Sequence, residues 1–124
     1  MKLLNPTDDQ LNAAFAEKVA GWKRLDCDLW DVGLDISSPW CRKRSDGIWI
    51  SNRTAWTESA DAVLPWLEKH RVAPIAEYRP TVRAPAFTGW EIMLEHGCNG
   101  RASTFPRAAV IALLRANGVE VEFA

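Results

Sequence analysis

The chain is poor in the residues from which most reactive sites are built. Among its 124 residues are two histidines and three cysteines. The cysteines, Cys27, Cys41 and Cys98, are odd in number and far apart. They set out no disulfide framework and no C-x-x-C pair, so reduced thiols in a cytosolic protein are the plain reading. There is no H-x-x-x-H and no set of four ligands at a known spacing, so no metal site is expected. No run approaches the roughly 18–20 apolar residues that a membrane span needs. Met1-Lys2-Leu3-Leu4 passes straight into Asn5-Pro6 without the apolar stretch of a signal peptide, so neither a membrane nor an export role is expected. An excess of one charge is missing too. Fifteen Lys and Arg stand against 16 Asp and Glu, which argues against a generally polyanion-binding surface while leaving room for a local patch.

What remains is the composition of an ordinary folded domain, 48% apolar and 25% charged, long enough for a single core. Tryptophan is the exception. Seven of them is a large number for such a chain. Trp fills cores and also anchors interfaces, and a domain of this size is not expected to bury all seven alone. Self-association into a homo-oligomer is therefore expected.

Three helices are legible. Thr7-Asp8-Asp9-Gln10 fits a capping box, and Leu11, Ala14, Phe15, Val19 and Trp22 follow helical spacing, which predicts a helix over 8–22. A second is predicted over 59–70, capped by Ser59, buried through Ala62, Val63, Trp66 and Leu67, and disturbed by Pro65. The third has Pro106 at its first position, Thr104 as a nearby capping oxygen and Asn117-Gly118 at its end. Ala109 to Leu114 are almost all apolar, which predicts burial between layers.

Strands are predicted over 89–95 and 101–105 as a hairpin, over 119–123, and over 47–51. Residues 73–78, between Pro74 and Pro80, suit only an edge strand. Alternation through Asp26, Asp28, Asp31 and Asp35 hints at another, interrupted by Gly33. The fold class expected is α+β: helices layered with a small, mostly antiparallel sheet in one domain.

Three stretches, taken in order, resemble a known family. They are Leu11-Asn12-Ala13-Ala14-Phe15-Ala16-Glu17-Lys18-Val19-Ala20-Gly21-Trp22-Lys23, Trp56-Thr57-Glu58-Ser59-Ala60-Asp61-Ala62, and Phe105-Pro106-Arg107-Ala108-Ala109-Val110-Ile111-Ala112-Leu113-Leu114 followed by Gly118-Val119-Glu120. Their order and spacing resemble the phage ABA-sandwich domain family of small phage and prophage proteins. The resemblance implies an α-β-α layered sandwich, a phage or prophage origin and a place in the cytoplasm of a bacterial host. It implies no activity and no cofactor. Pro65, and the stretches 26–53 and 75–87, have no counterpart in the family pattern.

Four groups of residues are candidates for function. Cys98 and His96 lie two residues apart in the predicted hairpin turn; a nucleophile needs a base and an orienting group converging on it, and a solvated turn explains the pair without one. Arg101, Ser103 and Thr104 follow Gly97-Cys98-Asn99-Gly100 and precede a helix, a setting in which free backbone N–H groups can cradle an anion. No P-loop lysine follows, and a turn with a helix cap explains the same residues. Arg42, Lys43, Arg44 and Arg53, with Trp40 and Trp49 interleaved, are the residue types that neutralise phosphates and stack on bases. The aspartates of 26–35 can pair with them instead. Tyr78, Arg79 and Arg83, with Arg71, flank the proline-rich stretch and are favoured interface residues. The resemblance, with an excess of aromatics and no catalytic geometry, implies a non-enzymatic phage accessory protein that binds, either occluding a host protein, as in a defence pathway, or sequestering a small, nucleotide-like ligand. The alternative is a nucleic-acid or nucleotide binder using the basic and tryptophan patch.

Overall fold

The most apolar stretch of the chain forms its centre. The computed structural model describes residues 1–26, 29–33, 40–52, 54–69, 76–78, 89–94 and 98–123. In it α3, Phe105–Ala116, is fully buried at every residue from Ala108 to Leu114. Each of its large aliphatic side chains contributes about 1.5–3 kcal/mol by leaving water. Burial all round requires neighbours on every side. α3 has strands against one side and helices against the other, as its composition predicts. Pro106 lies one residue deeper than expected, because the helix opens at Phe105; Thr104 holds the N-cap position without a capping bond from its hydroxyl.

The strands against α3 are β6 (Ala76–Tyr78), β7 (Gly89–Met93) and β8 (Asn99–Ala102), an antiparallel sheet with β6 at one edge. Ile92 opposite Gly100, and Trp90 opposite Ala102, form the face toward α3. Glu91 and Arg101, opposite one another on the other face, form an ion pair. The return strand starts and ends earlier than predicted, at Asn99 and Ala102, because Ser103 and Thr104 are used to enter α3. At Gly100 the helix comes very close. A Cβ there would lie 2.1 Å from the Ala108 carbonyl oxygen and 2.6 Å from the Ala112 nitrogen.

On the opposite side lie α1 (Asp8–Lys18), α2 (Ala60–Leu67) and a 3₁₀ turn, Trp56–Glu58. The capping box of α1 is made in full: Gln10 N–H donates to Thr7 Oγ1 at 3.3 Å and Thr7 N–H to Gln10 Oε1 at 2.9 Å. The helix stops at Lys18, four residues short of the prediction. Gly21, at φ +72°, turns the chain so that Trp22 N–H reaches back to the Ala16 carbonyl at 2.8 Å, and glycine is the residue that adopts this conformation without strain. α2 is likewise shorter than predicted, ending two residues after Pro65. Phe15, Trp56, Trp66 and Trp22 form one aromatic cluster, with ring centroids 4.6 Å apart for Phe15–Trp56, 5.8 Å for Phe15–Trp66 and 4.8 Å for Trp22–Trp56.

Two further sheets complete the described structure. β2 (Lys23–Asp26), β3 (Leu29–Asp31), β4 (Cys41–Lys43) and β5 (Trp49–Ser51) pair antiparallel in the order β2-β3-β5-β4. β1 (Lys2–Leu4), too short to read from sequence, pairs in parallel with β9, Glu120–Glu122. The fold is α+β: among the described residues, three α-helices with small, mostly antiparallel sheets. No helix among the described residues is long and apolar enough to cross a membrane.

Candidate functional site

α1 is used on both faces. At about 100° per residue, Leu11, Ala14 and Phe15 form one stripe, and this stripe enters the core. Asp9, Asn12, Ala13 and Ala16 form the opposite stripe, which lines a pocket of about 220 Å³. The small side chains of Ala13 and Ala16 leave the space; larger ones would fill it. The turn at Gly21 brings Trp22 to the pocket, β2 and β3 supply Arg24 and Trp30, and the segment after β5 supplies Asn52, Thr54 and Trp56.

The polar groups of the interior are mostly tied. Asn12, 7% exposed, donates from Nδ2 to Thr57 Oγ1 at 3.0 Å and accepts from Thr57 N–H at 3.1 Å. It thereby holds the 3₁₀ turn, and so Trp56, against α1. Thr54 Oγ1 lies 3.4 Å from Ser51 Oγ. The exception is Trp22. The residue borders the pocket and is 3% exposed, and its indole Nε1–H, closed off from the pocket's open space, is the one buried side-chain polar atom among the described residues without a hydrogen-bond partner. Leaving such a donor unsatisfied costs about 1–3 kcal/mol. At the mouth stand one cation and one anion, Arg24 and Asp9, both exposed and both engaged by other groups. The Arg24 guanidinium lies over the Trp30 ring, 5.9 Å from its centroid.

The residues singled out from sequence lie elsewhere. Arg42 and Lys43 are neighbours on β4, so they point to opposite faces. Arg42 pairs with Ile50, and Lys43 with Trp49. Arg44 is bound to Asp46 at 2.8 Å in the turn between β4 and β5. Trp49 is half-buried against the core, while Trp40 is 50% exposed. Asp31 pairs with Ile50 from the other side, which puts Ile50 between it and Arg42. The basic cluster is thus divided by strand alternation and partly neutralised; Arg53 lies outside the described residues.

Arg101 is separated from Ser103 and Thr104. It pairs with Glu91, whereas the two hydroxyl residues line a different concavity, of about 440 Å³, together with Asp8, Glu58 and Arg107. There Arg107 is held by Asp8 at 2.9 Å, and the two carboxylates disfavour an anion. Tyr78 lies on the edge strand β6 opposite Gly89; Arg71, Arg79, Arg83 and His96 lie outside the described residues. Cys98 is half-buried and packed on the core.

Six of the seven tryptophans are at least half-buried within the single chain: Trp22, Trp56 and Trp66 fully, Trp30, Trp49 and Trp90 in part. The tryptophan content therefore does not by itself require a second subunit.

The pocket was not among the sequence candidates. One signal for it is present, the small and polar stripe at 9, 12, 13 and 16 behind the apolar stripe of α1. Its tryptophans, at 22, 30 and 56, follow no period that relates them. No family model, no curated protein and no solved structure matches the chain, so geometry and chemistry carry the functional reading.

Proposed function

We propose that the protein acts by binding rather than by catalysis, and that the pocket between α1, β2, β3 and the 3₁₀ turn takes up a small ligand. The observation that carries this reading is the pocket itself, about 220 Å³, left open by Ala13 and Ala16 and bordered by Asn12, Asn52, Thr54 and Trp30. Binding sites of this kind combine apolar walls with few polar groups. The polar lining is amide and hydroxyl; the charged groups stay at the mouth. This is the lining of a holding site rather than of an acid–base centre. Sequestration is the branch of the binding hypothesis that it favours. The resemblance to the phage ABA-sandwich family supports a role as a phage accessory protein in a bacterial cytoplasm.

Native mass spectrometry of protein purified gently from bacterial cells tests this. A small mass retained by the wild type and lost from an Ala13→Phe variant, in which the pocket is filled, is the expected result. An unliganded spectrum, together with no saturable change in tryptophan fluorescence on adding a low-molecular-mass extract of the same cells, would overturn it.

A further inference from the structure

α3 joins β8 to β9, and the two strands do not pair with each other. Arg115, in the last turn of α3, stands between them. Its guanidinium donates to the Asn99 carbonyl at 2.8 Å on one side and to the Val121 carbonyl at 2.7 Å on the other. Two hollows border it, one of about 390 Å³ along residues 118–122 and one of about 370 Å³ beside Asn99, Arg101 and Phe123. Asn99 and Val121 meet at Arg115, and the residues two further along each chain, Arg101 and Phe123, flank one hollow. The two stretches therefore run parallel with a slot between them. Parallel strands joined by a helix, with room for a strand between them, are the frame of a split βαβ unit. Among the described residues β8 pairs only with β7, and β9 only with β1. Strand edges of this kind are templates for a further strand.

We propose that this slot docks the C-terminal end of a partner protein. The segment lies extended and antiparallel to β8 and β9, its terminal carboxylate on Arg115 and an apolar side chain on Phe123. Arg115 stands across the slot, so a chain entering from the Phe123 side ends there. An N-terminal ammonium would meet a guanidinium of like charge, whereas a carboxylate matches its planar fork. Among the described residues Arg115 donates only to neutral acceptors, the Asn99 carbonyl and Oδ1 and the Val121 carbonyl. No carboxylate side chain lines the hollow, and Arg101 is held by Glu91. These groups are open to a partner: Asn99 and Arg115 are partly exposed, Arg101 is exposed, and Phe123 is 47% exposed. In such docking the main chain supplies affinity, while side-chain pockets and capture of the chain end supply specificity. The slot shares no lining residue with the pocket beside α1, so the two readings stand or fall separately.

Fluorescence anisotropy with the full chain tests this. The probes carry fluorescein at the N-terminus: Gly-Ser-Thr-Ile-Thr-Leu and Gly-Ser-Thr-Ile-Thr-Phe as free acids, their C-terminal amides, and both sequences extended by two serines. The expected result is saturable binding of the free acids. The amides and the extended peptides should bind at least about tenfold more weakly, the scale of a hydrogen bond to a charged group. N-acetylleucine, which has the carboxylate without the strand, should compete at least about tenfold more weakly than the unlabelled hexapeptide. In proton–nitrogen spectra of the ¹⁵N-labelled chain, the backbone signals of 99–101 and 121–123 should move on binding. Arg115→Met should abolish binding. Because that change also removes bonds within the fold, Phe123→Glu is the second variant. It sets a carboxylate in the slot at a half-exposed position and should abolish binding in a folded chain.

Equal binding of acid and amide, undiminished binding of the extended peptides, or N-acetylleucine competing as well as the hexapeptide would overturn the proposal. So would full binding by Phe123→Glu, or shifts confined to other parts of the chain. Absence of saturable binding by either free acid up to about 1 mM, the weak end of specific recognition, would overturn it too.

Discussion

Asn12 and Thr57, 45 residues apart, exchange two hydrogen bonds in a buried setting: Nδ2 to Oγ1 at 3.0 Å, and the Thr57 N–H to Oδ1 at 3.1 Å. The pair fastens α1 to the 3₁₀ turn, whose first residue, Trp56, packs on both Phe15 and Trp22. A polar residue thus sits behind the apolar stripe of α1 because the turn has a backbone donor to satisfy.

Asn12→Ala is expected to destabilise the fold by about 2–3 kcal/mol, since it leaves a backbone N–H and a hydroxyl unpaired in the interior. Thr57→Val keeps the backbone bond and should cost about 1 kcal/mol. Urea denaturation followed by tryptophan fluorescence measures both. Equal effects of the two substitutions would mean that the backbone bond contributes nothing.

Much of the fold is legible in sequence, for physical reasons that differ from element to element. The start of α1 is local chemistry, and Thr7 and Gln10 make the bonds their spacing implies. α3 is legible because an all-apolar helix has to be buried. The end of α1 is misjudged because Trp22 fits the helical period, yet reaches its buried place through the turn at Gly21. β1 has three residues and exists through its pairing with β9 at the far end of the chain, which no local pattern encodes.

The pocket fails to stand out for the same reason. Its walls come from α1, the turn after it, β2, β3 and the segment after β5. The basic cluster, by contrast, stands out because Arg42, Lys43 and Arg44 are adjacent in sequence. Adjacency on a strand sends Arg42 and Lys43 to opposite faces.

Gly100 sets how near α3 lies to β8. Gly100→Ala places a Cβ against backbone atoms of Ala108 and Ala112 that cannot rotate away, so destabilisation of about 3 kcal/mol or outright misfolding is expected. Gly21→Ala has open space around its Cβ but a positive φ, and should cost about 1–2 kcal/mol. Thermal unfolding of the two variants should show Gly100→Ala as the less stable; the reverse order would contradict the close approach of helix and strand.

Arg115 bridges the end of α3 to two strands. Its guanidinium donates to the Asn99 carbonyl at 2.8 Å and to the Val121 carbonyl at 2.7 Å. The second bond occupies the edge of β9 that faces away from β1. Arg115→Met should cost about 2–3 kcal/mol, the scale of hydrogen bonds from a charged donor. Arg115→Lys should restore little of it, because an ammonium lacks the planar fork that reaches both carbonyls. Chemical denaturation of both variants provides the check, and full stability with lysine would show that charge alone suffices.

Trp40 and Trp56 mark the two extremes of tryptophan environment, 50% and 2% exposed. Trp56→Ala removes the ring at the centre of the aromatic cluster and should destabilise by about 3–5 kcal/mol. Trp40→Ala should cost clearly less, about 1–2 kcal/mol, since half of the residue already meets water. Quenching by iodide separates the two independently of stability, since the ion reaches exposed indoles and is kept from buried ones. Trp40→Phe should remove the largest share of quenchable emission of any single Trp→Phe variant, while Trp56→Phe should remove almost none. If Trp40 proves as protected as Trp56, something covers it in solution, and the first place to look would be a second copy of the chain.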